Sequence, residues 1–213
     1  MLLRLLSRLA VASLALALAP AALASGGHYV FAGGTAAEQS QVTQALQASS
    51  FDWNLVPVQV TIHIARNIPL SYSTPGQTWL DASLLDSGSF SWGVVQMEYA
   101  QQVQYTALGA QARSQLTGAL GAQQWCYDDP SLPRGANACE RFAATLAWSY
   151  WPSANNSMRP AGPSDWSASM SPKAFRTMLS QLIGAPDPLD SPVSLAAVRT
   201  AAKAPKSPTQ NRG

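Results

Sequence analysis

Between residues 56 and 65 apolar and polar side chains alternate: Val58, Val60, Ile62 and Ile64 fall on one side, Gln59, Thr61 and His63 on the other. A period of two predicts a strand with one buried face. Residues 28–33 (HYVFAG) predict a shorter strand stopped by Gly33-Gly34. From Thr35 the period lengthens to that of a helix, with Val42, Ala45 and Leu46 on one face. Thr35 with Glu38 three residues on is the signature of a capping box. Pro69 to Gly76 reads as a turn-rich loop, and residues 78–81 (TWLD) as a short strand. Helices dominate thereafter. Ser87-Gly88-Ser89 opens a long helix through FSWGVVQMEYAQQVQYTAL, and a second, about 109–120, stops at Gly121. A third, ACERFAATLAWSYW, ends at Pro152, and a fourth starts at Ser171-Pro172 and stops at Gly184. Serine as cap and proline in the first turn suit a helix start. Strands first and helices after predict an α+β fold.

The N-terminus changes where this fold is expected to work. Arg4 and Arg8 precede an apolar run from Leu9 to Ala19, and Ala22-Leu23-Ala24 forms a cleavage signal before Ser25. Residues 1–25 therefore read as a signal peptide, and the protein as secreted or extracytoplasmic. The run is shorter than the ~20 apolar residues of a stable membrane span. Residues 26–185 read as a single domain, and 186–213, rich in Pro, Ala, Ser and Lys, as a flexible tail. Charged residues make up 11% of the chain and the formal net charge is +2. That argues against nucleic acid as a partner, which calls for a basic stripe.

Export changes the reading of Cys126 and Cys139, the two cysteines of the chain. In an oxidising compartment they are expected to form a disulfide around the loop YDDPSLPRGANA, stabilising the fold by about 3 kcal/mol. No histidine lies near either cysteine to suggest a metal or a nucleophile.

The segment richest in chemistry is Met97-Glu98-Tyr99-Ala100-Gln101, followed 39 residues after Gln101 by Glu140 in Glu140-Arg141-Phe142-Ala143. Zinc peptidases place H-E-x-x-H on a helix because positions i and i+4 share a face, so two imidazoles converge on one metal while the glutamate serves as base. With Glu98 at the base position and Glu140 in an E-x-x-A phrase downstream, residues 56–151 resemble the gluzincin metallopeptidases. The resemblance implies a small mixed sheet with an edge strand before the active-site helix, for which TWLDASLL (78–85) is the candidate, followed by a helical zincin-like part. It makes Met97, Gln101 and Glu140 the ligand positions and zinc the family's cofactor.

Here the two histidine positions hold a thioether and a neutral amide, poor ligands for zinc. No metal is therefore expected, and without one nothing lowers the pKa of water from 15.7 toward ~7. The chain reads as a metallopeptidase-like protein that has lost zinc and catalysis, its cleft kept for a peptide or protein ligand. Two rivals stand beside this reading. Glu98 and Glu140 can be the carboxylate pair of a hydrolase, for example on a glycan, or both can be hydrogen-bonded residues of a structural envelope protein.

Other candidates have plainer explanations. His28 adjoins the cleavage site, and His63 sits on the outward strand face. Asp81 and Asp86 flank a strand end, and Asp128-Asp129 suit a turn. Asn155-Asn156-Ser157 matches the glycosylation sequon. Trp125, Tyr127, Trp148, Tyr150 and Trp151 crowd around the cysteines and the third helix. Core packing is the simpler account of them, an aromatic groove for a peptide or sugar chain the functional one.

Overall fold

Strand β1 (Tyr29–Gly33) runs into helix α1 (Ala36–Ala48) through the capping box at Thr35: Thr35 Oγ1 accepts from the Glu38 amide, and Glu38 Oε2 accepts from the Thr35 amide. The structure, a computed structural model, describes residues 27–185, 187 and 188. The segment that reads as a signal peptide, 1–25, and nearly all of 186–213, which reads as a tail, lie outside the described residues.

Helix α1 carries the chain over to strand β2 (Val60–Ala65), which pairs parallel to β1. Val60, Ile62 and Ile64 are buried and Thr61 and His63 half-buried, as the alternation predicts. Val58 departs from the pattern. It is exposed, because the β1–β2 register begins at Tyr29 and Val60 and leaves Val58 outside the strand.

Strands β3 (Tyr72–Thr74) and β4 (Gln77–Asp81) complete a four-stranded mixed sheet in the order β1-β2-β4-β3. β4 is parallel to β2, and β3 is antiparallel to β4. This corrects the expected edge strand. Residues 77–81 lie inside the sheet, Ala82–Leu85 form a helical turn (α2) capped by Asp81, and the edge is β3, within the segment that reads as a loop.

The remaining described elements are mainly helical: α3 (Trp92–Thr106), α4 (Ala110–Ala119), α5 (Ala138–Tyr150) and α6 (Pro172–Ile183). The α+β class is thus as the pattern predicts. Ser171 caps α6 by accepting from the Ala174 amide, and Gly184 ends it in the left-handed conformation.

Helix α3 is the axis of the fold. Every residue from Val95 to Gln104 is buried, because the helix packs on α1, on α5 and beneath β3 and β4. Its interior glutamines are each tied to a partner, as burial demands. Gln96 donates to the Ala45 carbonyl at 2.7 Å. Gln102 donates to the carbonyls of Thr74 and Gln77 and accepts from the Gly76 amide, fastening the β3–β4 turn to α3.

The start of α5 is held by the Cys126–Cys139 disulfide, and the Cys139 amide donates to the Trp125 carbonyl. Among the described residues no helix is long and apolar enough to cross a membrane.

Candidate functional site

Between β3 and the helices lies a groove of two adjoining lobes, each of about 360 Å³. α3 forms the floor. Leu70, Glu98 and Arg134 line both lobes. One lobe, the polar one by the side chains it gathers, has Gln101 and Glu140 beside the rings of Tyr72, Tyr105 and Tyr127. The other is mostly apolar, with Met97 among Ile68, Val94, Met158 and Trp166. The four positions singled out in the sequence thus line one groove but not one lobe: Glu98, Gln101 and Glu140 share the polar half, and Met97 faces the apolar half with Glu98 at the junction.

Glu98 is buried at 3% exposure, and its Oε2 accepts from Ser73 Oγ of the edge strand at 3.2 Å. Its Oε1 has no hydrogen-bond partner among the described residues. Burial, and then the neighbouring charge of Glu140, push its pKa up to about 8, against the opposing pull of Arg134 and Ser73. At neutral pH Glu98 therefore carries a proton.

Glu140 is equally buried but differently served. Its Oε2 pairs with the Arg134 guanidinium at 3.0 Å, and its Oε1 accepts from the Tyr127 hydroxyl. Arg134 also reaches the Tyr127 oxygen through Nε and lies 5.6 Å over the Trp166 ring. Gly135 makes that packing possible, since a Cβ there would collide with Trp166. The Tyr127 hydroxyl is pushed up to about 12 by burial and by its bond to Glu140. Burial, with Glu140 and Glu98 nearby, also raises Tyr105, whose hydroxyl donates to the Ser73 carbonyl at 3.1 Å.

Local geometry explains how Tyr127 arrives there. Its φ is +55°, a region few non-glycine residues adopt. The disulfide at Cys126 and the bond from the Tyr127 amide to Asn137 Oδ1 hold it there. Strain of this kind persists only where surroundings enforce it, and it clusters at binding and catalytic sites.

Tyr72 is fixed from the other side. Its ring stacks on Trp79 at 4.7 Å, and Trp79 stacks on His63 at 4.8 Å. The outward histidine of β2 is therefore part of a cross-strand aromatic ladder, with its Nε2 3.0 Å from Gln77 Oε1.

The donor set does not suit zinc. Met97 offers a thioether, the Gln101 amide oxygen accepts from Gln104, and both oxygens of Glu140 are engaged by Arg134 and Tyr127. Zinc takes thiolate, imidazole or free carboxylate.

Of the remaining candidates, Asp81 caps α2, Asp86 pairs with Arg66 at 2.9 Å and Asp129 holds a turn through Ser131. Within the aromatic cluster Tyr150 is core, Trp125 packs near Phe142 and Trp151 near Trp92; Tyr127 is the member that lines the groove. Arg134, Ser73, Tyr72 and Tyr105 are site residues that the sequence reading misses. Tyr105 had a signal, lying one helical turn beyond Gln101.

The chain matches no protein-family model, no curated protein and no solved structure.

Proposed function

We propose that this is a secreted, metallopeptidase-like protein without zinc or peptidase activity, whose groove binds an extended segment of peptide along β3. The observation that carries the reading is the meeting of Glu98, Gln101 and Glu140 in one lobe, with Met97 next door, beneath the edge strand of the sheet. β3 is one residue deep in its usable edge. In an antiparallel ladder alternate residues turn their N–H and C=O outward. Tyr105 donates to the Ser73 carbonyl from outside the sheet, which makes Ser73 the outward residue.

An added strand would take its main-chain hydrogen bonds there and place alternate side chains in pockets, the common mode of β-strand addition. The apolar lobe, with Met97, Met158 and Trp166, suits an aliphatic side chain. Two features speak against hydrolysis by the family's route: the donor set does not suit zinc, and Glu98 keeps its proton up to pH about 8, so it has no charge with which to take one from water.

The test is fluorescence polarisation over an array of fluorescein-labelled decapeptides, with two edge variants. Ser73→Pro removes the outward N–H and is tolerated by an edge strand; Ser73→Ala keeps it. Binding that is lost in the first and kept in the second supports the reading. An array in which no peptide binds, or in which Ser73→Pro binds as wild type does, overturns it.

One observation favours a second reading. A protonated Glu98 beside an ion-paired Glu140 is the acid and carboxylate combination that glycoside hydrolysis uses. Reducing-sugar release from cell-wall glycans that vanishes in Glu98→Gln would establish it.

A further inference from the structure

We propose that the polar lobe is a binding site for an alkylammonium group, supplied by a lysine side chain of the bound peptide. The proposal deepens the peptide-groove reading and rests on it for the source of the amine. Three observations carry it.

The first is an incomplete hydrogen-bond set. Glu98 is almost fully buried, lines the lobe, and has one carboxyl oxygen with no partner among the described residues. That oxygen is not one of the sealed-off polar atoms of the interior, so it is open to the groove, where a donor brought by a ligand can reach it.

The second is the rim. Tyr72, Tyr105 and Tyr127 come from three different segments to line the same space. Tyrosine faces carry the negative side of the ring quadrupole, and aromatic residues gathered around a pocket are how proteins hold ammonium groups.

The third is charge. Arg134 is already committed to Glu140 and Tyr127, so Glu98 has no charged partner in the lobe among the described residues. Asp81 adds a further carboxylate in the adjoining lobe, and no lysine among the described residues lines either lobe. An anionic ligand would meet two carboxyl groups and an engaged guanidinium, whereas an entering ammonium takes the place of the proton that Glu98 holds, releases it to solvent and leaves the cluster balanced.

The same geometry prefers lysine to arginine. A guanidinium seeks two parallel bonds to both oxygens of a carboxylate, and Glu98 has only one to give. An ammonium is a point charge, satisfied by one oxygen and the surrounding rings.

The experiment is calorimetry with the full secreted chain and three probes: acetyl-Ala-Leu-Lys-Leu-Ala-amide, the same peptide with norleucine for lysine, and n-butylammonium chloride. The lysine peptide should bind about tenfold more tightly than the norleucine peptide, the size of one charged hydrogen bond with cation–π support. Glu98→Gln should erase that preference, and Tyr105→Leu should weaken it. Equal affinity for the two peptides in the wild type overturns the ammonium site while leaving peptide binding standing. Binding of n-butylammonium that depends on Glu98, with neither peptide bound, keeps the ammonium site and removes the peptide reading. Failure of all three probes removes both.

Discussion

Arg134 reaches Glu140 at 3.0 Å and leaves Glu98, the other carboxyl of the polar lobe, without an ion-pair partner among the described residues. The asymmetry comes from the fold. α5 starts just after the disulfide loop that carries Arg134, so Glu140 in its first turn is within reach of that side chain. Glu98 sits mid-way along α3, where nearly every neighbour is packed, and the edge strand offers it only a serine hydroxyl. Two like groups are thereby driven apart in behaviour, one held by a guanidinium and one holding a proton.

Removing the guanidinium should expose this difference. Arg134→Gln leaves Glu140 buried with only the Tyr127 hydroxyl, and should destabilise the protein by about 2 kcal/mol at pH 8, after allowing for the part-exposed arginine. The loss should shrink at high salt, which screens the part-exposed ion pair. Urea denaturation of both proteins at low and at high salt checks it, and a loss equal at both would show that the arginine acts by packing alone.

Glu98 makes its own demand on pH. Its pKa is raised in the folded protein from 4.5 to about 8, so the folded state binds the proton more tightly than the unfolded one. Its stabilising protonation is fully present below about pH 4.5 and is lost as pH rises toward 8. Glu98→Gln, which cannot ionise, should therefore gain on the wild type as pH rises from 5 to 9, by on the order of 2 kcal/mol. Thermal denaturation of the pair across that range is the measurement. A constant difference would mean that Glu98 ionises as freely folded as unfolded.

The Cys126–Cys139 bridge closes the loop that sets Tyr127. Replacing both cysteines by serine should lower stability by about 3 kcal/mol. It should also release Tyr127 from its left-handed backbone, so that the groove loses its contact to Glu140. Intact mass before and after reduction, with tyrosine fluorescence of the double variant, tests both halves.

Much of this architecture is legible in the sequence, for physical reasons that differ by element. The Thr35 capping box, β2 and the Ser171-Pro172 start of α6 are each written in local chemistry: a side chain satisfying nearby amides, a strict alternation, a cap beside a proline. β3 is not legible. Three residues are too few to show a period, and what holds Tyr72–Thr74 as a strand is Gln102 and Tyr105 reaching from α3. Val58 misleads for a related reason, since alternation continues past the point where a neighbouring strand exists. Of the site, Glu98, Gln101 and Glu140 are readable because helical spacing and an E-x-x-A phrase mark them. Arg134 sits in an irregular loop, where spacing carries no information about where a side chain reaches, and it changes the chemistry of Glu140 most.

That arginine also decides the sharpest test of the metallopeptidase resemblance. Met97→His with Gln101→His would set two imidazoles one helical turn apart on α3, the spacing that zinc peptidases use. Glu140 is the third ligand the resemblance implies, but its oxygens are held by Arg134 and Tyr127. Zinc must then displace a guanidinium, and the double variant should bind it only weakly. Adding Arg134→Gln frees Glu140 and should raise the affinity by about tenfold or more, the scale on which partners of a metal ligand act. Binding should also raise the thermal midpoint, because zinc would bind the folded state selectively. Calorimetric titration with zinc of the wild type, the double variant, the triple variant and the triple variant with Glu140→Ala separates the outcomes. A wild type that takes up one tightly held zinc would contradict the mismatch of its donor set. Tight binding in the triple variant that disappears with Glu140→Ala would support descent from a zinc peptidase. Zinc binding indifferent to Glu140 would mean that α3 and α5 do not meet in a metallopeptidase geometry, and the resemblance would have to be given up.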